Sequence, residues 1–429
     1  MNYRAGKCDE KVTISKSFTA KGKYDVIVAG GGVAGIAAAV TVARKGKSVL
    51  LVEKSNILGG LATLGLVNFW VPLCNGRGVQ IIKGIAEEML RMSIKYGYDT
   101  LPDEWKDGEA KAPTTNRYIT RYSPEIFAIQ LTEWIKNEGV DFFFDCIASE
   151  PVMDGKHCCG LILESKSGRE YYAAEKIIDA TGDCDVLRRA GVPVIPGKNY
   201  FTYYGKKVTL KSAQTTAEKS DMRYLCDNIF AGDISLYGKG QPENIPLWSG
   251  LTVEEVTDYL TVQQTLLLER IKDTPRCERD ITLLPHMPQF RTTCRIDGDA
   301  CLKESDKFRH FDDSVAAISD FDRRDYLYEV PYGTLVRSGF DNLITCGRSA
   351  NGEGYGWDII RVIPVACLTG QAAGEACVLS IESGSDIAGV DIKELQSRLE
   401  KGGVMIHFPD SLIPKDTNGI GEIYYSDHV

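Results

Sequence analysis

A run of three glycines near the start of the chain limits the possible folds more than any other feature. It follows Asp25–Ala29, an apolar and mostly β-branched segment that predicts a buried parallel strand. Residues 36–45 are mostly small and apolar and predict a helix, which Gly46 ends. Residues 48–52 form a second apolar run and predict a second strand. The segment therefore predicts a strand, a tight turn, a helix and another strand, which together make a βαβ unit.

The glycines fill the pattern G-x-G-x-x-G at Gly30, Gly32 and Gly35. In such a pattern the first glycine permits the tight turn, the second lets a pyrophosphate approach the backbone, and the third lets helix and strand pack closely. The amides and dipole at the start of the helix favour phosphate charge. Glu53, at the end of the second strand, can accept hydrogen bonds from ribose hydroxyls. These features predict a dinucleotide site; a βαβ unit that binds no phosphate is the alternative.

A long apolar stretch, residues 26–43, also raises the question of a membrane span. Three consecutive glycines would break a spanning helix in its middle, so we interpret the stretch as part of the βαβ unit. The chain has 429 residues, 43% of them hydrophobic and 25% charged, which is ordinary for a soluble globular protein of two domains. Its net charge of −9 argues against nucleic acid and membrane surfaces as partners, but leaves room for an anionic substrate in a local basic pocket.

The thirteen cysteines are scattered, and no two of them have C-x-x-C spacing. This pattern disfavours the simplest zinc, iron–sulfur and thioredoxin-type sites, and we predict no metal centre. An odd, scattered set of cysteines in a chain of this length favours reduced thiols. Residues 1–18 lack the apolar core of a signal peptide. We therefore expect a cytoplasmic protein.

A second pair of glycines follows Glu53 in residues 58–65, whose sequence is LGGLATLG. Alone, the pair is equally well explained by a plain turn. Taken with Glu53 and with GGGVAGIAAA at residues 30–39, it resembles the FAD-dependent oxidoreductases of the glutathione-reductase-like Rossmann type. The resemblance implies that this unit binds FAD rather than NAD, and that the glycine pair lies along the pyrophosphate and ribityl chain of the flavin.

Five later segments occur in an order that resembles one branch of these oxidoreductases, the branch that includes the flavin subunit of heterodisulfide reductase. The segments are PQFRTTCRIDG (288–298), FDDSV (311–315), VPYGTLV (330–336), NLITCGR (342–348) and RVIPVACLTGQAAG (361–374). With the N-terminal motifs, the resemblance covers residues 24–379. Thr292 and Cys294 replace a glutamate and an arginine of the family pattern, so no role transfers to them. Iron–sulfur cysteine clusters are absent from the sequence, and we do not assign heterodisulfide reductase activity.

The resemblance also implies a set of cofactor-binding residues, of which Ile147 is included by position rather than by motif. The set is Gly30, Gly32, Val33, Ala34, Gly35, Glu53, Lys54, Gly59, Gly60, Leu61, Ala62, Thr63, Ile147, Ala180, Thr181, Gly182, Gly347, Arg348, Arg361, Val362 and Ile363. Residues 361–380 predict a helix of small residues whose N-terminus can direct its dipole at the pyrimidine edge of the flavin and stabilise the reduced ring. The alternative is an ordinary packing helix.

The predicted fold is α/β: an FAD-binding Rossmann-type (glutathione-reductase-like) domain with a β-meander and an inserted α+β substrate domain. We assign residues 24–183 and 341–382 to the FAD-binding domain, 184–340 to the substrate or cap domain, and 383–429 to a C-terminal extension. Local patterns predict helices at 84–96, 124–137, 252–272 and 391–401, and strands at 140–144, 148–153, 157–165, 169–174, 175–180 and 342–346. Thr252 and Glu255 are spaced as a capping box.

Five side chains are candidates for catalysis: Arg291, Arg295, His286, Tyr332 and Tyr355. The two arginines are four residues apart and share a face on a helix or a strand, so they can grip a carboxylate or another oxyanion together; ion pairing with nearby acids is the alternative. His286 is a candidate general acid or base, with a core or surface position as the alternative. Either tyrosine can donate a proton to a substrate oxygen.

We predict an FAD-dependent oxidoreductase that transfers a hydride between flavin N5 and a small polar organic substrate of the alcohol/ketone or enoate type. The alternative is a flavin-bearing electron-transfer subunit that works with a separate redox partner protein. The sequence holds a single full dinucleotide fingerprint, so NAD(P)H, if it reduces the flavin, must visit the substrate face. A non-redox role in RNA modification is disfavoured by the acidic charge. The substrate and the oligomeric state are left open.

Overall fold

The structure, a computed structural model, describes residues 9–415 and residue 421. Within these residues the strands are β1 Ala20–Ala29, β2 Val49–Val52, β3 Phe69–Trp70, β4 Thr120–Arg121, β5 Asp141–Phe143, β6 Ile147–Asp154, β7 His157–Ser165, β8 Gly168–Asp179, β9 Val194–Pro196, β10 Thr202–Thr209, β11 Asp227–Asp233, β12 Arg279–Leu283, β13 Cys294–Ile296, β14 Ser314–Ser319, β15 Leu327–Pro331 and β16 Leu343–Thr345. The helices there are α1 Val33–Arg44, α2 Ile85–Ser93, α3 Pro124–Asn137, α4 Asp185–Arg189, α5 Leu210–Lys219, α6 Val253–Ile271, α7 Tyr355–Ile360, α8 Ile363–Ser383 and α9 Ile392–Lys401.

The central sheet of the described chain has seven strands in the order β5-β2-β1-β8-β7-β6, with β16 beside β8. The βαβ unit predicted from the glycine motif is its centre: β1 pairs in parallel with β2 on one side and with β8 on the other. β6, β7 and the first half of β8 form the predicted antiparallel meander. Val26–Ala29 are fully buried, as expected for strands covered on both faces. The predicted α/β fold of the Rossmann type, with a meander, is confirmed.

Strand β8 differs from the prediction, which divided it into strands at 169–174 and 175–180. The structure has one strand, Gly168–Asp179. Its first half pairs antiparallel with β7, while its second half pairs in parallel with β16. The division was wrong because no glycine or proline separates Ala174 from Glu175, so the chain passes from the meander into the parallel sheet without a turn.

Helix α8 packs along α1 with unusually close backbones. A Cβ on Gly370 would lie 2.1 Å from the carbonyl oxygen of Ala34, and one on Gly374 would lie 2.7 Å from that of Ala38. By length and composition α8 is apolar enough to cross a membrane, but its whole apolar window is buried inside the protein. It is therefore a core helix. Its glycines allow close packing against α1, which was the alternative explanation for the small residues of this segment.

The inserted segment has a core of its own, formed by aromatic and aliphatic residues between Phe201 and Phe290. Strands β11, β10 and β12 form its sheet, and α6 packs against it. The capping box at the start of α6 is only half formed. Thr252 accepts from the amide of Glu255 at 3.2 Å, but the Glu255 carboxylate turns back to the amides of Gly250 and Leu251 at 3.0 and 3.3 Å.

The end of the predicted insertion packs with the flavin-side core rather than with the insertion. The hairpin β14–β15 contributes Val315, Ile318 and Val330 to the same core as α1 and α8. The domain boundaries at residues 184 and 340 stay a prediction. In the structure, the separate core contains residues from Phe201 to Phe290 only, which is a shorter part of the chain. The helix predicted at 391–401 is confirmed as α9, capped by Asp391. Most of the predicted tail beyond residue 415 lies outside the described residues.

Candidate cofactor and active site

A cavity of about 500 Å³ opens where the parallel strands end. Ala29 at the end of β1, Val52 at the end of β2, Ala180 after β8 and Cys346 after β16 all line it. In open α/β sheets, ligands bind outside the carboxyl ends of the strands, where the order of connection reverses. The cavity is therefore at the position that the fold favours for a ligand.

The three motif glycines have the roles that the pattern predicts. Gly30 has a φ of +108°, and a Cβ there would lie 2.4 Å from the carbonyl oxygen of Ala180, so only glycine fits the turn. A Cβ on Gly35 would lie 1.9 Å from the carbonyl oxygen of Gly30, which shows how closely α1 approaches the strand. A Cβ on Gly32 would meet no atom within 4 Å, because this glycine faces the cavity.

Glu53 forms the cavity wall beyond the end of β2 and is almost completely buried. One carboxylate oxygen accepts from the amide of Gly31 at 2.7 Å. The other accepts from the amide of Ser55 at 2.8 Å and from its hydroxyl at 2.7 Å. These bonds hold the carboxylate beside the glycine turn, where its remaining lone pairs can receive ribose hydroxyls.

The second glycine segment lies directly against the first. Gly59 forms a parallel bridge with Gly32, and its amide donates to the carbonyl of Gly31 at 2.8 Å. Gly59 has a φ of +104°, which other residues rarely adopt. Thr63 lies behind this turn and donates through its hydroxyl to the carbonyl of Leu58 at 2.5 Å. It therefore shapes the segment instead of lining the cavity.

The turn after β8 is organised by Asp179, a buried residue that the sequence analysis did not single out. Its carboxylate accepts from the amide and hydroxyl of Thr181 at 3.0 and 2.7 Å, and from the amides of Val186 and Leu187 at 2.9 Å. Burial raises the pKa of Asp179 above its usual range. Its position one residue before the Ala-Thr-Gly segment was the signal that could have identified it.

Two helices begin at the cavity without a side-chain cap. Gly32 is the N-cap of α1 and Val362 is the N-cap of α8, and neither offers a side-chain acceptor to the first turn. Ala34 in the first turn of α1 and Ile363 at the start of α8 line the cavity. Both helices therefore direct the positive end of their dipoles at it, which favours anionic groups of a ligand.

The predicted cofactor residues line this cavity except for Gly35, Thr63 and Val362, which lie behind its wall. Ala148, expected beside Ile147 from its position in the resembled fold, also lines the cavity. Further lining residues were not predicted: Ala29, Val52, Ser55, Asn56, Leu64, Cys146, Asp185, Arg189, Met287, Cys346 and Ala366. Ala29, Val52 and Cys346 are strand ends and follow from the fold. Asp185 and Met287 come from segments in which no sequence pattern predicts that they lie near the cavity.

Of the five catalytic candidates, His286 alone lines the cavity among the residues that the structure describes. It is exposed there, and its amide donates to the carbonyl of Leu64 at 2.9 Å. Tyr332 is buried away from the cavity and donates to the carbonyl of Ile387 at 2.5 Å. Tyr355 donates to Asp320 Oδ1 at 2.7 Å. Both tyrosine hydroxyls are therefore committed to partners within the protein.

The two arginines of the RTTCR segment do not act as a pair. Arg295 is buried on β13, where it donates to the side-chain oxygen of Asn351 and lies over the ring of Trp357, 5.5 Å from its centroid. These contacts are with a neutral amide and a ring rather than with the nearby acids of the alternative, and a catalytic role for Arg295 stays a prediction. Arg291 precedes the strand and lies close enough to Arg361 for their charges to repel.

Fold and cavity together define a flavoprotein with an FAD-binding Rossmann-type domain, because the open glycine turn, the held carboxylate and the two uncapped helices suit the pyrophosphate, ribose and flavin of FAD. The chain belongs to the family described as FAD dependent oxidoreductase, whose model it matches over residues 25–244 and 241–399. It is thus an FAD-dependent oxidoreductase.

Comparison with individual proteins adds more distant likenesses. Over 53 residues the chain is 42% identical to 4-oxocyclohexanecarboxylate 2-dehydrogenase from Sinomonas cyclohexanicum, which is 12% of this chain and 9% of that protein. A geranylgeranyl bacteriochlorophyll reductase-like protein from Thermoplasma acidophilum has a TM-score of 0.46 at 14% identity, covering 91% of this chain and 94% of that one. For p-nitrophenol 4-monooxygenase from Pseudomonas putida DLL-E4 the TM-score is 0.46 at 15% identity, over 89% and 85%. None of these likenesses indicates a substrate.

Proposed function

We propose that this oxidoreductase transfers a hydride between flavin N5 and a small polar organic substrate of the alcohol/ketone or enoate type, and that the substrate carries a carboxylate or a similar oxyanion. FAD supplies the ring position that accepts or donates the hydride. The observation that supports an anionic substrate is the environment of Arg291, a partly buried cation next to a second cation at the edge of the cavity.

Arg291 has no carboxylate within 4.0 Å among the described residues, and Nη1 donates to the carbonyl of Ile234 at 3.0 Å. Burial and then repulsion from Arg361 lower the pKa of Arg291 to about 10. Arg361 lines the cavity and is held by Asp358, with 2.9 Å between Arg361 Nε and Asp358 Oδ1. The charges of Asp358 and Asp233 act on Arg291 in the opposite direction, but neither carboxylate contacts it. An oxyanion that enters here could therefore accept a charge-assisted hydrogen bond from the guanidinium group of Arg291.

We infer separate roles for His286 and Arg361, which line the cavity, and for Arg291 beside Arg361. Arg291 and Arg361 bind and orient the anionic group of the substrate. An imidazole nitrogen of His286 exchanges the proton that accompanies hydride transfer to or from a carbonyl or enoate. The exposed position of His286 at the cavity supports this role, because the proton must also reach solvent.

The first test is an anaerobic titration of the yellow protein with NADH and NADPH, followed by the loss of the visible absorbance of the flavin. Rapid bleaching would identify NAD(P)H as the electron source. Persistent colour would direct the search to a substrate that itself donates the hydride, or to a redox partner protein, which is the alternative function.

A cytoplasmic location and the lack of nucleic acid or membrane partners stay predictions.

The anionic substrate is tested with matched pairs of small substrates, each a keto acid or an enoate and its methyl ester. We expect the acid to have a kcat/KM at least about tenfold higher, which corresponds to about 1.4 kcal/mol of transition-state binding. Arg291→Met should abolish that preference while FAD stays bound. Arg169→Met is the control, because Arg169 is an exposed arginine on β8 that pairs with Glu164. Equal kcat/KM values for acid and ester in the wild-type enzyme would contradict the proposal.

A further inference from the structure

A cluster of metal-ligating side chains lies outside the flavin site, at the place where three distant segments meet. His310 precedes the hairpin β14–β15, Glu329 is on β15, and His407 is in the segment that follows α9. One ligand atom from each of these residues lies within 4.8 Å of the others. We propose that His310, Glu329 and His407 bind one divalent transition-metal ion of the zinc class.

Glu329 is the centre of the cluster and is completely buried. Within the described chain its carboxylate has no lysine or arginine partner within 4.0 Å; His310 and His407 are the ion-pair partners that it has there. It also accepts from the amide of Phe311 at 2.8 Å. A buried carboxylate is unfavourable without a paired positive charge, which either an imidazolium or a metal ion held by the two imidazoles would supply here.

The imidazole of His310 lies between two carboxylates. Its Nε2 is 2.9 Å from Asp410 Oδ1, and its Nδ1 is 2.5 Å from Glu329 Oε1. A neutral imidazole carries one N–H, so it can donate to only one of these oxygens. When Nε2–H donates to Asp410, Nδ1 presents its lone pair to the same space as the Glu329 carboxylate, as a metal-ligating nitrogen does.

This arrangement is the one that metal-binding histidines adopt. A ligating histidine usually donates its other ring N–H to a carboxylate, which sets the tautomer and the orientation of the ring. Asp410 has that position relative to His310, while Glu329 and His407 Nδ1, 3.0 Å from Glu329 Oε2, complete a set of two nitrogens and one carboxylate. Such a set suits Zn²⁺ and similar ions, with a fourth place for water.

The space around the cluster also fits an ion. Zinc–nitrogen bonds of about 2.0–2.1 Å place tetrahedral ligand atoms about 3.4 Å apart, so the two rings must move outward by less than about 1 Å. Each ring has an open side for this movement, because the side chains of His310 and His407 are 41% and 42% exposed. The ion would join the segment of His407 to the hairpin, outside the flavin site.

The test uses the full chain with FAD bound, without a histidine tag, after treatment with a chelator. Isothermal titration with Zn²⁺ should show one ion per chain, and His407→Ala should weaken its binding by more than about tenfold. Asp410→Asn should weaken binding less. His157→Ala is the matched control, because His157 is 44% exposed and lies 3.8 Å from Asp341 but belongs to no cluster. It should leave binding unchanged.

X-ray absorption at the zinc edge gives an independent result, because the chain also contains thirteen cysteines. We expect nitrogen and oxygen at about 2.0–2.1 Å with scattering from two imidazole rings, whereas sulfur at about 2.3 Å would overturn the proposal. The absence of stoichiometric binding would also overturn it and would leave an imidazolium as the cation of the cluster. Flavin absorbance checks that each variant is folded, and Glu329→Gln serves as a second variant of similar size.

Discussion

Replacing Gly32 with alanine should separate FAD binding from folding. The backbone at Gly32 is extended, with φ −71° and ψ 174°, a conformation that alanine adopts without strain. Because a Cβ there would meet no protein atom within 4 Å, we expect the stability of the apoprotein to change by less than about 0.5 kcal/mol. The methyl group would instead occupy the cavity where the glycine turn is open to the pyrophosphate.

The expected loss is in affinity for FAD. If the methyl group displaces one phosphate oxygen from its backbone amide, a charge-assisted hydrogen bond worth about 1.5–3 kcal/mol is lost, which is about 10- to 150-fold in Kd. The measurement is a titration of apoprotein with FAD, followed by flavin fluorescence. Urea unfolding of the apoprotein measures its free energy of unfolding.

Gly35→Ala is the matched variant three residues later, and it should do the reverse. Its Cβ would lie 1.9 Å from the carbonyl oxygen of Gly30, so helix and strand must separate by about 1 Å. Overpacking against backbone costs about 1–3 kcal/mol, and the higher helix propensity of alanine offsets about 1 kcal/mol at most. We expect a destabilised apoprotein. Wild-type FAD affinity in Gly32→Ala together with wild-type stability in Gly35→Ala would refute this account of the glycine turn.

Substitutions at three further positions test the packing, a cap and a buried acid. Gly370→Ala places a Cβ 2.1 Å from the carbonyl oxygen of Ala34, so urea unfolding should show a loss of about 2 kcal/mol or more. Thr252→Ala removes the cap of α6 and should cost about 1 kcal/mol in the same assay, whereas Thr252→Ser should restore most of it. Burial raises the pKa of Asp320 from 3.8 to about 6, so the folded state holds this proton more tightly than the unfolded state. The contribution of this group to the free energy of unfolding is therefore present below pH 3.8 and is lost as the pH rises to about 6. Asp320→Asn keeps an acceptor for the hydroxyl of Tyr355. Its free energy of unfolding should lack this pH dependence when compared with that of the wild type.

Local patterns predicted much of the flavin site because backbone geometry is encoded locally. Gly30 and Gly59 have the positive φ values that their turns require, and Glu53 follows β2 directly. The errors have the same origin. The spacing of Thr252 and Glu255 fits a capping box, but in the folded protein the Glu255 carboxylate accepts from the amides of Gly250 and Leu251 instead.

The catalytic candidates were harder to predict, because residue type and spacing do not say which way a side chain points. Arg291 and Arg295 share a spacing that suits a common face, yet Arg295 is buried against Asn351 and Trp357 while Arg291 lies near Arg361. Tyr332 is a plausible proton donor in the sequence and a buried partner of a carbonyl group in the structure.

The sequence by itself determined the βαβ unit and the helix that returns to the cavity, since each rests on turns and periodicities within a few residues. Its resemblance to a known family indicated FAD as the cofactor. Only the tertiary structure decided that β8 is one strand shared by two kinds of pairing. It also brought His310, Glu329 and His407 together and left Arg291 beside Arg361. The physical reason is that such groups meet through packing between segments far apart in the chain, and no local pattern records which distant side chains share a low-dielectric interior.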